Sequence, residues 1–178
     1  LALARMLAER GTYDSNAALR AYQFWFDSDP FDCGMTIATG LRGRPNPDSQ
    51  ANGAMMRISP LGIFGAGHPL KTVGDWARQD AALTHPHPVC RQANTLFTMA
   101  IAHAIKTGPE PKSLYRDIAG WAAGLKVESS LLDATLRAAE GPPADYVQHQ
   151  GWVLIAFRNA LWQLIHAPDF EAGIVDTV

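Results

Sequence analysis

The run Trp152-Val153-Leu154-Ile155-Ala156-Phe157-Arg158-Asn159-Ala160-Leu161-Trp162-Gln163-Leu164-Ile165 decides the fold. Val153, Ala156, Phe157, Ala160, Leu161, Leu164 and Ile165 recur at three- and four-residue spacing, the mark of a helix that buries one stripe. Trp152, Ile155 and Trp162 are apolar on its other sides, and a helix apolar nearly all round belongs in the middle of a bundle. The spacing predicts one helix over 145–166, the most apolar of the chain. A second stripe, Ala93, Leu96, Phe97, Ala100, Ile101, Ala104 and Ile105, predicts another over 89–106. Alternation at period two is nearly absent, so helices are expected throughout.

Working outward, local stop and start signals divide the rest. Gly11 suits the C′ position of a helix over 1–10, and Asp14 and Ser15 are N-cap residues for one over 15–27. That second helix carries an aromatic face of Tyr22, Phe24, Trp25 and Phe26, and Asp29-Pro30 stops it. A short helix runs to about Leu41, and residues 42–51, with Pro45, Asn46, Pro47, Asp48 and Ser49, form a loop. Further helices are expected over 70–83, 112–124 and 129–139, with Gly141-Pro142-Pro143 as a hard break. The expected architecture is all-α, a single-domain orthogonal bundle of about eight to ten helices over 1–178 without repeats.

Composition narrows the function classes. Apolar residues make up 47% and charged residues 18%, the latter below about a quarter, which fits a large core or a surface covered in the intact protein. A net charge of −2 gives no basic footprint, so no nucleic-acid partner is expected. Cys33 and Cys90 make neither a disulfide framework nor a metal knuckle, which fits a reducing, cytoplasmic setting. No membrane association is expected, because no apolar run reaches a spanning length and the start lacks a basic leader. The ends at Leu1–Ala8 and Phe170–Val178 both sit inside helical patterns, as expected of an excised piece.

The polar features converge on one stretch, Asn52-Gly53-Ala54-Met55-Met56-Arg57-Ile58-Ser59-Pro60-Leu61. Asn-Gly tolerates φ > 0 and forms turns, yet the Met- and Ile-rich run behind it is too apolar for a surface loop. A tight turn therefore feeds a buried helix whose first N–H groups lack partners, an arrangement suited to an anion such as phosphate. Ser59-Pro60 bends or restarts that helix. Further on, Leu83-Thr84-His85-Pro86-His87-Pro88 ends a helical segment with histidine between rigid prolines.

These two segments together resemble the ADP-ribosylglycohydrolase family, of the dinitrogenase reductase-activating glycohydrolase-like kind. The family pattern is Asn-Gly, small or apolar residues, Met-Arg, an apolar helix and a later Thr-His. Pro30-Phe31-Asp32-Cys33-Gly34-Met35-Thr36 resembles its Asp-x-Gly-x-Thr segment, with Met35 where members often carry Asn. Gly151-Trp152-Val153 through Ala160-Leu161 resembles its late central helix. Two acidic metal motifs of the family, an early Thr-Asp-Asp and a late Gly-Gly-Asp-x-Asp-Thr, are not in this sequence. Leu1 onward resembles the family segment directly after the first motif, and Phe170–Val178 the segment directly before the second, so the chain resembles the family's central portion.

The resemblance implies a hydrolase that removes ADP-ribose from ADP-ribosylated protein, most often at arginine, with two divalent cations, magnesium or manganese, whose ligands are not in this sequence. It also implies roles for particular residues. Ser49, Gln50, Asn52 and Gly53 would cradle the pyrophosphate, and Gly34 would allow close backbone approach. His85 would bond phosphate or ribose; outside the family it would be a helix-end residue bonded to a carbonyl. Asp32 would orient the ribose or assist proton transfer, or cap the helix after Gly34. Trp152 would stack on adenine or ribose, or sit in the bundle core. Arg57 is expected to pair with a carboxylate or carbonyl and brace the loop. The stretch as it stands is expected to bind without turnover. Two other classes compete: a catalytically dead ADP-ribose-binding module, and a structural helical protein like the crystallin-like relatives.

Overall fold

Capping chemistry sets the helix boundaries. The computed structural model describes residues 1–177; Val178, the last residue of the stretch that resembles the family segment before the late acidic motif, lies outside them. Gly11 at φ 65° ends α1 (Ala2–Arg10), its N–H bonding Leu7 O, a left-handed conformation that costs glycine little. The Asp14 carboxylate accepts from Ala17 N–H at 2.7 Å and starts α2 (Ser15–Phe26). Next come α3 (Met35–Leu41), α4 (Gly53–Arg57), α5 (Ser59–Gly65), α6 (Leu70–Ala82) and α7 (Pro88–Thr107). The rest are α8 (Pro111–Gly124), α9 (Ser129–Arg137), α10 (Tyr146–His149), α11 (Val153–His166) and α12 (Phe170–Val175).

The chain is all-α, with twelve helices among the described residues and a single isolated bridge in place of any sheet. The excess over the expected number comes from short helices. α4 and α5 are separate because Pro60 supplies no N–H and sits in the first turn of α5. α12 begins where Asp169 accepts from Ala172 N–H at 2.8 Å.

Two expectations need correction. The helix expected over 145–166 is broken at residues 150–152, where Ala51 and Trp152 pair as an antiparallel bridge. Asn52 N–H bonds Gly151 O and Val153 N–H bonds Gln50 O, each at 2.9 Å. A tertiary backbone ladder has displaced the local helical bonds there. The middle of the bundle also belongs to α7 and not to α11. α7 packs against α4, α5, α6, α8, α9 and α11, and buries Ala93, Ala100 and Ala102, whose small side chains permit close neighbours. On α2, Tyr22 is buried but Phe24 is 74% exposed, so the aromatic face is not one buried surface.

The core has two parts. One gathers Met55, Leu96, Ile118, Leu131 and Phe157, the other Leu3, Leu7, Tyr22, Ile58 and Leu61, and Phe97 packs against both. Met55 of α4 lies in the first part and Ile58, just past its end, in the second. The short helix is thus anchored at both ends, and the turn that precedes it is fixed.

Candidate ligand-binding site

The turn at 49–53 is tied down from three sides. Asn52 Nδ2 donates to Gln150 O at 2.7 Å, and Trp152 Nε1 donates to Gln50 Oε1 at 2.9 Å. The Thr36 and Ser49 hydroxyls lie 2.9 Å apart, which brings α3 to the turn. Cys90 Sγ, on α7, lies 3.6 Å from both Ser49 O and Ala51 O. Ser49, Gln50, Asn52, Gly53 and Trp152 are therefore one assembly. Trp152 is 44% exposed, so it is not a core residue, and its N–H orients Gln50.

Glycine at 53 is needed for space and not for its backbone angle. Asn52 sits at φ −84°, ψ −1°, and Gly53 is not among the residues at positive φ. A Cβ on Gly53 would lie 2.9 Å from Ile37 Cδ1 and 3.2 Å from His85 Nε2. The turn and the histidine of the distant Thr-His pair are thus in contact.

Hydrogen-bond donors without acceptors collect around this contact. The Asn52 N–H is used by Gly151 O, but those of Gly53, Ala54 and Met55 donate to nothing among the described residues. His87 Nδ1 accepts from Val89 N–H at 3.2 Å and caps α7, which in the neutral ring puts the proton on Nε2. The Gln50 amide is turned so that its oxygen meets the donor-only indole of Trp152, and its nitrogen then lies 3.4 Å from His87 Nε2. Two N–H groups cannot bond each other, and both remain available to an acceptor.

His85 is fully buried. Its Nδ1 lies 2.7 Å from Thr84 Oγ1, while its Nε2 has no partner. Burial, and secondarily the charge of Arg57, push its pKa down to about 4, so the ring is neutral near pH 7. Behind it stands an ionic brace. Arg57 Nη1 donates to Thr84 Oγ1 at 2.8 Å, and Nη2 lies 3.1 Å from Asp80 Oδ1 and donates to Asp80 O at 3.0 Å. The Tyr22 hydroxyl donates to Asp80 Oδ2 at 2.8 Å, and its ring lies 4.6 Å under the guanidinium. Arg57 braces the loop through a carboxylate and a carbonyl, as its place in a buried helix suggested.

Asp32 and Gly34, just ahead of Thr36 in the chain, make no side-chain contact with this assembly that a hydrogen bond or ion pair records among the described residues. Asp32 is exposed and makes no hydrogen bond or ion pair among the described residues. It does not cap α3, whose N-cap is Gly34 without a side-chain bond. Nothing lies within 4 Å of a Cβ built on Gly34, so no part of the described chain requires glycine there. Among the described residues no group of three His, Cys, Asp or Glu could hold a metal ion; Asp27, Asp29 and Asp32 do not form one. The residues present do not fit a pair of divalent cations.

Sequence reasoning missed Asp80 and saw in His87 only a residue between two prolines. A signal existed for each. Val73, Ala77, Asp80, Ala81 and Thr84 lie at helical spacing on the buried side of α6 and its end, and a carboxylate on such a stripe demands a cationic partner. His87, directly before Pro88, is at the position from which a side chain caps α7.

Three comparisons bear on this geometry. The ADP-ribosylglycohydrolase family profile matches residues 1–178. The chain is 32% identical over 114 residues to the ADP-ribosyl-[dinitrogen reductase] glycohydrolase of Rhodospirillum rubrum, covering 59% of this chain and 38% of that protein. It is 26% identical over 132 residues to a protein of Acanthamoeba polyphaga mimivirus named as an ADP-ribosyl glycohydrolase, covering 65% of this chain and 40% of that one. The matches therefore span about two-fifths of the length of these relatives. A solved structure titled as an ADP-ribosylglycohydrolase-related protein complex superposes with a TM-score of 0.80 over 97% of this chain and 59% of that chain. At 21% identity it supports the all-α fold alone.

Proposed function

Because this chain belongs to the ADP-ribosylglycohydrolase family, we propose that it forms the part of a glycohydrolase that holds the ADP-ribose group during its removal from modified protein. Arginine is the expected linkage. The observation that carries this reading is the excess of donors at one place. The amides of Gly53, Ala54 and Met55 head α4, His85 Nε2 lies beside Gly53, and the Gln50 amide nitrogen lies 3.4 Å from His87 Nε2, with no acceptor to match them among the described residues. A diphosphate supplies acceptors and charge together, and backbone amides in a concave turn bind such anions well. Trp152, half exposed beside the turn, would stack on adenine or ribose. Asp32, exposed and unpaired among the described residues, is available to orient a ribose hydroxyl or accept a proton.

The paired divalent cations expected from the family find no ligand set among the described residues, and no step is routed through them. Two free cysteines among the described residues support a reducing compartment such as the cytoplasm. Calorimetric titration of the protein with ADP-ribose tests the binding reading. Heat consistent with one site is expected, and His85→Ala is expected to weaken binding about tenfold or more, the loss of one hydrogen bond to a charged acceptor. Absence of heat at millimolar ligand would contradict the reading. Incubation with ADP-ribosylated arginine and manganese is expected to release no ADP-ribose, and release would contradict the assignment of binding without turnover.

A further inference from the structure

We propose that the Thr84 hydroxyl, gripped by Arg57, fixes His85 as the tautomer with its proton on Nε2, which makes Thr84, Arg57 and Asp80 positioning residues for the imidazole beneath the turn. The balance of donors and acceptors decides the tautomer. A guanidinium can only donate, so at 2.8 Å Thr84 Oγ1 must accept from Arg57 Nη1. The hydroxyl is left with its own proton to give, and among the described residues the acceptor it meets is His85 Nδ1, at 2.7 Å. Nδ1 then accepts, and a neutral ring must carry its proton on Nε2. The opposite tautomer would send two donors to Thr84 Oγ1 and leave a hydroxyl hydrogen without an acceptor inside a fully buried residue.

The grip cannot relax easily. Arg57 is bonded to both the carboxylate and the carbonyl of Asp80, and that carboxylate is held in turn by the Tyr22 hydroxyl. Burial, followed by the charge of Asp80, pushes the Tyr22 phenol well up, so Tyr22 remains a donor. Asp80 thus accepts from both Tyr22 and Arg57, and from Arg57 the donors run outward through Thr84 to His85, whose Nε2–H lies beside Gly53. At that point the protein offers a neutral donor and no base. The group it accommodates must bring an acceptor oxygen, as a phosphate or a ribose hydroxyl does. That last step rests on the proposed ADP-ribose site; the tautomer itself does not.

Nitrogen-15 NMR of histidine-labelled, ligand-free protein at pH 7 tests the tautomer. The expected spectrum has His85 Nε2 in the protonated range and Nδ1 in the unprotonated range. A proton on Nδ1 in the wild-type spectrum would overturn the proposal, whatever the variants do. Thr84→Val should mix or reverse the two resonances and weaken ADP-ribose binding about tenfold, while Thr84→Ser should restore both. A purely structural role for Thr84 would leave the tautomer unmoved in Thr84→Val, and that result would also overturn the proposal. If wild-type protein gives the expected spectrum but no ADP-ribose binding, the proposed function fails and the tautomer assignment stands.

Discussion

At the scale of single residues, the account turns on Gly53 and His85. Gly53→Ala would place a methyl group 3.2 Å from His85 Nε2 and 2.9 Å from Ile37 Cδ1. Ile37 is a side-chain end that can shift, so stability should fall by only about 1 kcal/mol. ADP-ribose binding should be lost, and a variant that binds like wild type would show that the His85–Gly53 contact is not part of the site. His85 also predicts an acid-side loss of stability. Its folded pKa, about 4, is depressed below the unfolded value of about 6.5. From pH 6.5 down to 4 the unfolded chain takes a proton that the folded chain refuses. Stability should therefore fall as pH drops through that window, by roughly 3 kcal/mol in all, and this contribution should be level outside it. Urea midpoints measured from pH 7 to pH 4 should lose that part of their slope in His85→Gln. Asp80→Asn would leave Arg57 buried without a counter-charge and should cost about 3–5 kcal/mol, whereas a loss under 1 kcal/mol would mean the brace contributes little. The role of Arg57 could be anticipated from its position in an apolar helix. Its partner, Asp80, is 23 residues away, and the only mark of it in the sequence is a carboxylate set on the apolar stripe of α6.

At the scale of elements, caps and breakers were legible and tertiary ladders were not. Gly11, Asp14 and Pro60 act locally, so α1, α2 and α5 follow from their own residues. The break at 150–152 has a distant cause, the backbone pairing of Ala51 with Trp152, and local periodicity could not anticipate it. That same pairing brings Trp152 to Gln50 and so helps build the candidate site. The contact between α3 and the Thr84 backbone is another long-range feature. A Cβ on Gly40 would lie 2.7 Å from Thr84 Cα, a backbone atom that cannot rotate away. Gly40→Ala should force α3 outward and cost about 1–3 kcal/mol, and it should disturb the Thr36–Ser49 contact at the same time. Denaturation together with ADP-ribose titration would check both effects; unchanged values would mean α3 adjusts freely.

At the scale of the whole molecule, the all-helical class was readable because period-three-and-four stripes recur along the chain, on α7 and α11 most clearly. Which helix occupies the middle was not, since both are strongly apolar. The outcome depends on the alanines that let six helices approach α7. The candidate site lies where this arrangement brings together the loop before α4, the end of α6, the start of α7 and the loop before α11. Ser49, Gln50, Asn52, Gly53, His85 and Trp152, which the fold brings together, stand out in the sequence as candidates because turn chemistry and a family pattern mark them. His87 could not be separated from an ordinary helix cap, which it also is. The central claim is that unsatisfied amides at the head of α4 receive a diphosphate. The most direct measurement is a proton–nitrogen NMR titration of the labelled protein with ADP-ribose. The account predicts that the amides of Gly53, Ala54 and Met55 shift first and furthest, together with the side chains of Gln50, His85 and His87. Saturable shifts confined to another face, such as the apolar groove lined by Leu3, Tyr22, Trp25 and Pro60, would contradict it.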